Sequence, residues 1–155
     1  MPDIEPDTQT ADRLAIRRLA DDYARCADRI DNTGLAALFA PDGVLRVCER
    51  TGGQPVRERV GRDEIAEAIL GLSRYEVTMH LVCNHYVEID GDTATGETYC
   101  RASHIRPVEG GPDGARESYV MNIRYLDRFV RLPEGWRFAE RELQVEWNEV
   151  VPILR

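Results

Sequence analysis

No uninterrupted apolar run in this chain approaches the length of a membrane span. Its first residues, Met-Pro-Asp-Ile-Glu-Pro-Asp, lack both the basic and the apolar stretch of a secretory signal. Positive charge is in deficit. The formal net charge of −8 and pI near 4.9 repel phosphate backbones and anionic lipid, so neither nucleic acid nor a membrane is an expected partner, and a cytoplasmic location is expected. Cysteine is sparse: Cys26, Cys48, Cys83 and Cys100 form no Cys-x-x-Cys, and no histidine stands at zinc-finger spacing, so all four are expected as buried free thiols. There is no phosphate-cradling loop, since Gly52-Gly53 and Gly110-Gly111 read as turns. Ser73, Ser103 and Ser118 have no nucleophile-elbow motif, which argues against acyl transfer. His80, His104 and an acid lack the close spacing of a metal-binding set, so no metal and no cofactor are expected.

What the chain does contain is ordinary globular material: 155 residues, 43% hydrophobic and 31% charged, enough for a real core in one domain spanning 1–155, with residues 1–7 a loose arm. From Thr8 to Ile30 apolar residues recur at helical spacing (Ile16, Leu19, Tyr23, Cys26 or Ala27, Ile30). Asp31-Asn-Thr-Gly34 supplies capping chemistry for a short helix at Leu35–Phe39, and Ala40-Pro-Asp-Gly43 reads as a turn. Val44–Arg50 and Gln54–Val60 form a hairpin about Thr51-Gly52-Gly53, and a third helix runs from Gly61 to Tyr75. Four long strands then follow: Glu76–Asp90, Thr93–Val108, Ala115–Leu132 and Trp136–Val150. Helices first and antiparallel strands afterwards is the α+β pattern, and in a chain this short the sheet must curl around a helix to make a pocket.

His80 is the residue best suited to move protons, because imidazole titrates near neutral pH. A carboxylate on its other ring nitrogen would fix the tautomer. Strict alternation places His80, Val82, Asn84 and Tyr86 on one face of their strand and Met79, Leu81, Cys83 and His85 on the other, without saying which face is inward. His85 is then expected at a subunit contact. Two acids compete for the carboxylate role. Helical periodicity brings Asp31 closer to the apolar stripe than Asp28, while Asp31 also suits an N-cap and Asp28 a solvated pair with Arg25 or Arg29. Leu143, Val145 and Trp147 are candidates for an exposed face joining two or three copies.

The order of elements, with the strings Tyr23…Asp28…Leu35-Ala-Ala-Leu-Phe-Ala-Pro-Asp42, His80…Asn84…Ile89-Asp-Gly-Asp92 and Gly135-Trp-Arg-Phe138, resembles the SnoaL-like branch of the NTF2-like superfamily. That branch includes scytalone dehydratase, hexachlorocyclohexane dehydrochlorinase, bile-acid 7α-dehydratase and polyketide cyclases. The resemblance covers about residues 10–150 and implies a cone of three helices in a strongly curved, mostly antiparallel sheet. It also implies a cofactor-independent lyase, or an isomerase or cyclase using the same base, acting on an apolar cyclic, polyketide-like or steroid-like molecule. In residues, it implies Asp28 orienting His80 as general base, with Tyr23 and His104 beside them. Asn84, Tyr75 and Tyr125 are expected at the substrate. The polar pair of the fungal dehydratase falls here on Ile123 and Tyr125. The competing reading is a non-catalytic cone with a plugged pocket and Asp28 out of reach of His80.

Overall fold

The computed structural model describes residues 9–49 and 53–154. The arm expected at 1–7, and Thr51 and Gly52 of the expected hairpin turn, lie outside the described residues. Helix α1 spans Thr10–Arg29 and α2 spans Asn32–Ala37. Strands β1 (Phe39–Cys48) and β2 (Pro55–Val60) follow, then α3 (Arg62–Ile69) continued by a 3-10 turn over Leu70–Arg74. Strands β3 (Val77–Asp90), β4 (Thr93–Pro107), β5 (Arg116–Leu132) and β6 (Gly135–Pro152) complete the chain. The three helices pack against one curved six-stranded sheet of order β2-β1-β6-β5-β4-β3, antiparallel throughout except where β1 runs parallel to β6.

Helix α1 is held by its apolar stripe. Ile16, Leu19, Tyr23 and Ala27 are buried, and each large side chain removed from water contributes roughly 1.5–3 kcal/mol. Ile30 does not continue that stripe; it ends the helix in the left-handed region at φ 53°, an unusual conformation for a β-branched residue. Its amide donates to the Ala27 carbonyl at 3.1 Å, and that of Asp31 to the Cys26 carbonyl at 2.9 Å. The polar side of α1 is laced to β3, which is an edge strand with unpaired backbone groups. Arg13 donates to the Val87 carbonyl at 2.8 Å, Arg17 to the Cys83 carbonyl at 3.0 Å, and Asp28 accepts from the His80 amide at 3.0 Å. One helix face thus closes the sheet edge by side-chain bonds.

Two local irregularities overturn simple readings of the sequence. The expected turn at Ala40-Pro-Asp-Gly43 is a wide bulge inside β1. Phe39 pairs with Phe138 and Val44 with Glu140, so β1 spends five steps where β6 spends two. Gly43 is required there, because a Cβ would stand 2.9 Å from the Phe39 Cβ and 3.1 Å from the Phe138 carbonyl oxygen. The second bulge is in β3. Val82 pairs with Cys100 and His85 with Thr98, three steps against two, so the facing of side chains reverses at Cys83–Asn84. His85 therefore points inward with His80, not to a subunit contact, and its Nδ1 lies 2.9 Å from Thr98 Oγ1. Cys83 is exposed and Cys26 half-buried, so only Cys48 and Cys100 are buried thiols; all four are free. Val145 is buried and Leu143 half-buried on the inner side, leaving Trp147 alone of that trio exposed.

Candidate active site

The concave side of the sheet, roofed by α1 and α3, encloses an apolar chamber of about 210 Å³. Tyr23 and Ala27 line it from α1, Leu45 and Val47 from β1, Ile69 from α3, and Met121, Ile123 and Tyr125 from β5. Its polar groups are few: the His80 and His104 rings, the Tyr23 and Tyr125 phenols, and two arginines of β2. Such a chamber, apolar with a few convergent polar groups, is the usual form of a small-molecule site. It opens into a vestibule of about 680 Å³, where Tyr75, Tyr119 and Asn148 are found.

His80 enters the chamber from the inner face of β3, and Asp28 meets it from the last turn of α1. Asp28 Oδ1 lies 2.7 Å from His80 Nδ1. The carboxylate also accepts from the His80 backbone amide and from the Thr78 hydroxyl, each at 3.0 Å. Burial pushes the Asp28 carboxyl upward, but the His80 ring, the His80 amide and Thr78 together outweigh it and hold the carboxyl below its usual range. Asp28 is therefore an anion at neutral pH. Because a carboxylate only accepts, the hydrogen-bond network assigns the proton to Nδ1 and leaves a lone pair on Nε2. The competition between Asp28 and Asp31 resolves in geometry: Asp31 accepts the Gly34 amide at 2.9 Å as the N-cap of α2.

His104, opposite Thr78 on the neighbouring strand, stands edge-on to His80 with ring centroids 5.6 Å apart. Its Nδ1 lies 3.0 Å from the Tyr119 carbonyl, which fixes the proton there and presents a bare Nε2. Burial lowers the affinity of His104 for a second proton, so the ring stays neutral. Tyr23 is buried, and its phenol is pushed up to about 12, chiefly by burial, so it remains a hydroxyl donor. Tyr75 lies over His104 at 4.7 Å and joins vestibule to chamber. Tyr125 forms part of the wall. Asn84 is not at the site: it is exposed within the β3 bulge, which carries it away from the face occupied by His80.

Beneath Tyr23 lies a feature that the sequence reading missed. Arg141 on β6 donates twice to Asp127 on β5, both bonds at 2.8 Å, with neither side chain reaching solvent. The guanidinium sits 4.4 Å below the Tyr23 ring and 4.0 Å from that of Tyr125. Burial raises the Asp127 carboxyl, and the arginine opposes that rise. The signal was present in the sequence. Asp127 occupies an inward position of the alternation Ile123, Tyr125, Asp127, Phe129, where an acid needs a buried partner.

Among the described residues, no group of acids, histidines and cysteines is arranged to hold a metal ion, and no helix is long and apolar enough to cross a membrane. The model of the SnoaL-like domain matches residues 8–142. An uncharacterized protein of Mycobacterium tuberculosis, Rv2910c, is 29% identical over 133 residues, spanning 86% of this chain and 84% of the relative. Among solved structures, the Kfla4162 protein of Kribbella flavida superposes with a TM-score of 0.76 at 28% identity, covering 90% of this chain and 93% of that one. A type 2 hexachlorocyclohexane dehydrochlorinase, LinA, superposes with a TM-score of 0.76 at 19% identity, over 94% and 91% of the two chains, a likeness of fold. Helix order, sheet and sequence match agree: the chain belongs to the SnoaL-like family and has the NTF2-like fold.

Proposed function

We propose that the chain is a cofactor-independent lyase that eliminates a leaving group from an apolar cyclic small molecule, with His80 as general base. The observation carrying this reading is the 2.7 Å contact of Asp28 Oδ1 with His80 Nδ1 at the wall of an open apolar chamber. A plugged pocket or separated side chains would have favoured the non-catalytic cone.

In this mechanism His80 Nε2 takes a proton from carbon beside a carbonyl or leaving group. The freed electron pair forms the double bond as the leaving group departs from the adjacent carbon. Asp28, already anionic, stabilises the imidazolium so formed. The Tyr23 hydroxyl donates to the oxygen on which charge develops. His104 serves as an acceptor. With its one proton committed to Tyr119, it accepts a hydrogen bond from a substrate hydroxyl and so orients the ring. Isomerisation and cyclisation share the proton-abstraction step. The exposed Leu81, Tyr99 and Trp147 on the convex face are where we place contact between copies.

The test reads that shared step. Cyclic ketones of one and two rings are incubated with the protein in D₂O, and exchange at the α-carbon is followed by NMR. The wild-type chain should catalyse exchange of at least one ketone. His80→Ala should reduce it by about 10²–10⁴-fold, the usual range for a lost general base, with its circular dichroism unchanged. A well-folded His80→Ala variant that exchanges as fast as wild type overturns the assignment.

A further inference from the structure

The chain carries an excess of 8 negative charges, yet the way into its chamber is lined by arginine. Strand β2 is an edge strand, for which outward-facing charge is sufficient protection against pairing with another sheet. Glu58 does face outward, where it binds Arg46 at 2.7 Å. Arg57 and Arg59 flank it on the other face. They pair with Val47 and Leu45, whose side chains line the chamber, and both guanidinium-bearing side chains join that lining. Arg74, at the end of the 3-10 turn, adds a third cation in the vestibule, lying 4.9 Å from the Tyr75 ring centre.

Among the described residues, no acid neutralises any of the three. Several arginines elsewhere engage carboxylates, as in Arg46 with Glu58 and Glu140, Arg116 with Glu76 and Arg131 with Asp12. Among the described residues no carboxylate lies within salt-bridge distance of Arg57, Arg59 or Arg74. Arg59 donates to the Glu58 carbonyl and Arg74 to the Tyr75 hydroxyl, both neutral acceptors. One acid, Glu49, also lines the vestibule, so the entrance is cationic on balance. The chain has no lysine, and all 20 of its cations are arginines, whose planar fork binds carboxylate or phosphate through two parallel hydrogen bonds.

We propose that the substrate is an amphiphilic anion: its apolar ring enters the chamber beside His80, and its negative group is held at the entrance by Arg57 and Arg59, with Arg74 adding to the field. This rests on the chamber being the substrate site and names the class of molecule that the site takes. It also explains how an acidic protein admits an anion. Glu58, the nearest acid in the strand, is engaged by Arg46 on the opposite face, so within a Debye length, about 8 Å at physiological salt, the guanidinium groups outnumber the one vestibule acid, Glu49. The apolar walls supply affinity and the arginines supply orientation, placing the carbon near His80 at a fixed distance from the charged end.

Three ligands sharing one ring separate the contributions: methyl 2-naphthoate, 2-naphthoate and 2-naphthyl phosphate, each titrated against the whole protein by naphthalene fluorescence anisotropy. At low salt at least one of the two anions should bind about tenfold or more tighter than the neutral ester. Preference for naphthoate identifies a carboxylate as the natural charged group, and preference for the phosphate identifies a phosphate ester. Arg57→Gln combined with Arg59→Gln should remove the advantage of the anion and leave the ester unchanged. Raising the salt should do likewise. His80→Asn should leave the preference intact, so loss of the base and loss of the anion site are read separately. Equal binding of ester and anions, or an arginine variant that weakens all three alike, overturns the proposal. Failure of ketone exchange with the anion preference retained would strike only the catalytic assignment.

Discussion

Two carboxylates in this molecule are each paired with a nitrogen base, and they behave oppositely. Asp127 and Arg141 expose 0% and 1% of their side chains, whereas Asp28 and His80 expose 25% and 7%. Burial pushes both carboxyls upward; at Asp127 it prevails, while at Asp28 the bonds from His80 and Thr78 together outweigh it and lower the carboxyl. The partners differ as much as the surroundings. A guanidinium does not surrender its proton in a protein, so the sealed pair is fixed in one ionic state and serves to support Tyr23 and Tyr125 from below. An imidazole gains and loses a proton near neutrality, and His80 lines an open apolar chamber. The pair proposed to carry chemistry is the one that combines a labile proton with access.

The comparison can be broken most forcefully at the sealed pair. Arg141→Ala should cost about 3–5 kcal/mol of stability, because it strands a buried carboxylate, and chemical denaturation would measure the loss. Arg141→Met with Asp127→Leu should recover most of it, since removing both charges also removes the desolvation cost. At the open pair the effects change places. Asp28→Asn should alter stability by only about 1 kcal/mol, because its single carbonyl oxygen can still accept from the His80 amide while its NH2 donates to the Thr78 hydroxyl. Its α-proton exchange should nevertheless fall by about 10²-fold or more, as the tautomer is no longer imposed. A Tm loss for Asp28→Asn as large as that for Arg141→Ala would erase the distinction between the pairs.

A smaller effect comes from pH. His104 is lowered chiefly by burial, with His80 and Arg74 adding repulsion and Tyr119 and Asp28 opposing it. The unfolded chain therefore binds the extra proton first. The stability contributed by neutral His104 is complete above its unfolded value of 6.5 and is lost as pH falls through its lower folded value. His85, also lowered mainly by burial, contributes with the same sign. The drop in Tm between about pH 7.5 and about pH 5 should shrink in His104→Asn, whose side chain does not titrate there. An unchanged slope would show that the ring is not held neutral by its surroundings.

Most of the fold was legible because it rests on periodicity. The stripe of Ile16, Leu19, Tyr23 and Ala27 and the long β-branched strands read directly as helix and sheet. The dyad was half legible. Chemistry singled out His80, but helical phase favoured Asp31 over Asp28, and only family resemblance reversed that order. The structural reason is that Asp28 is directed not at the core but at the edge of β3, a demand created by the sheet and invisible in the helix. Parity failed beyond Val82, misplacing Asn84 and His85, because nothing in Val82-Cys-Asn-His85 announces a bulge. The strand residues Leu143 and Val145 face inward, an orientation that the pattern left undecided. Arg141 was passed over because its partner lies 14 residues away on the adjoining strand, with the aromatic shell assembled from three elements.

The β3 bulge has a consequence for how this chain tolerates length change. Between the pairs Val82–Cys100 and His85–Thr98 the strand holds one residue more than its neighbour requires. Deleting Asn84 would restore one-to-one pairing, leave His80 and His85 both inside, and keep every later pair from Tyr86–Glu97 to Asp90–Thr93 in register. In the pairing ladder Asn84 is the surplus residue that the bulge absorbs. Relatives with one residue fewer between these two histidines can keep the same interior.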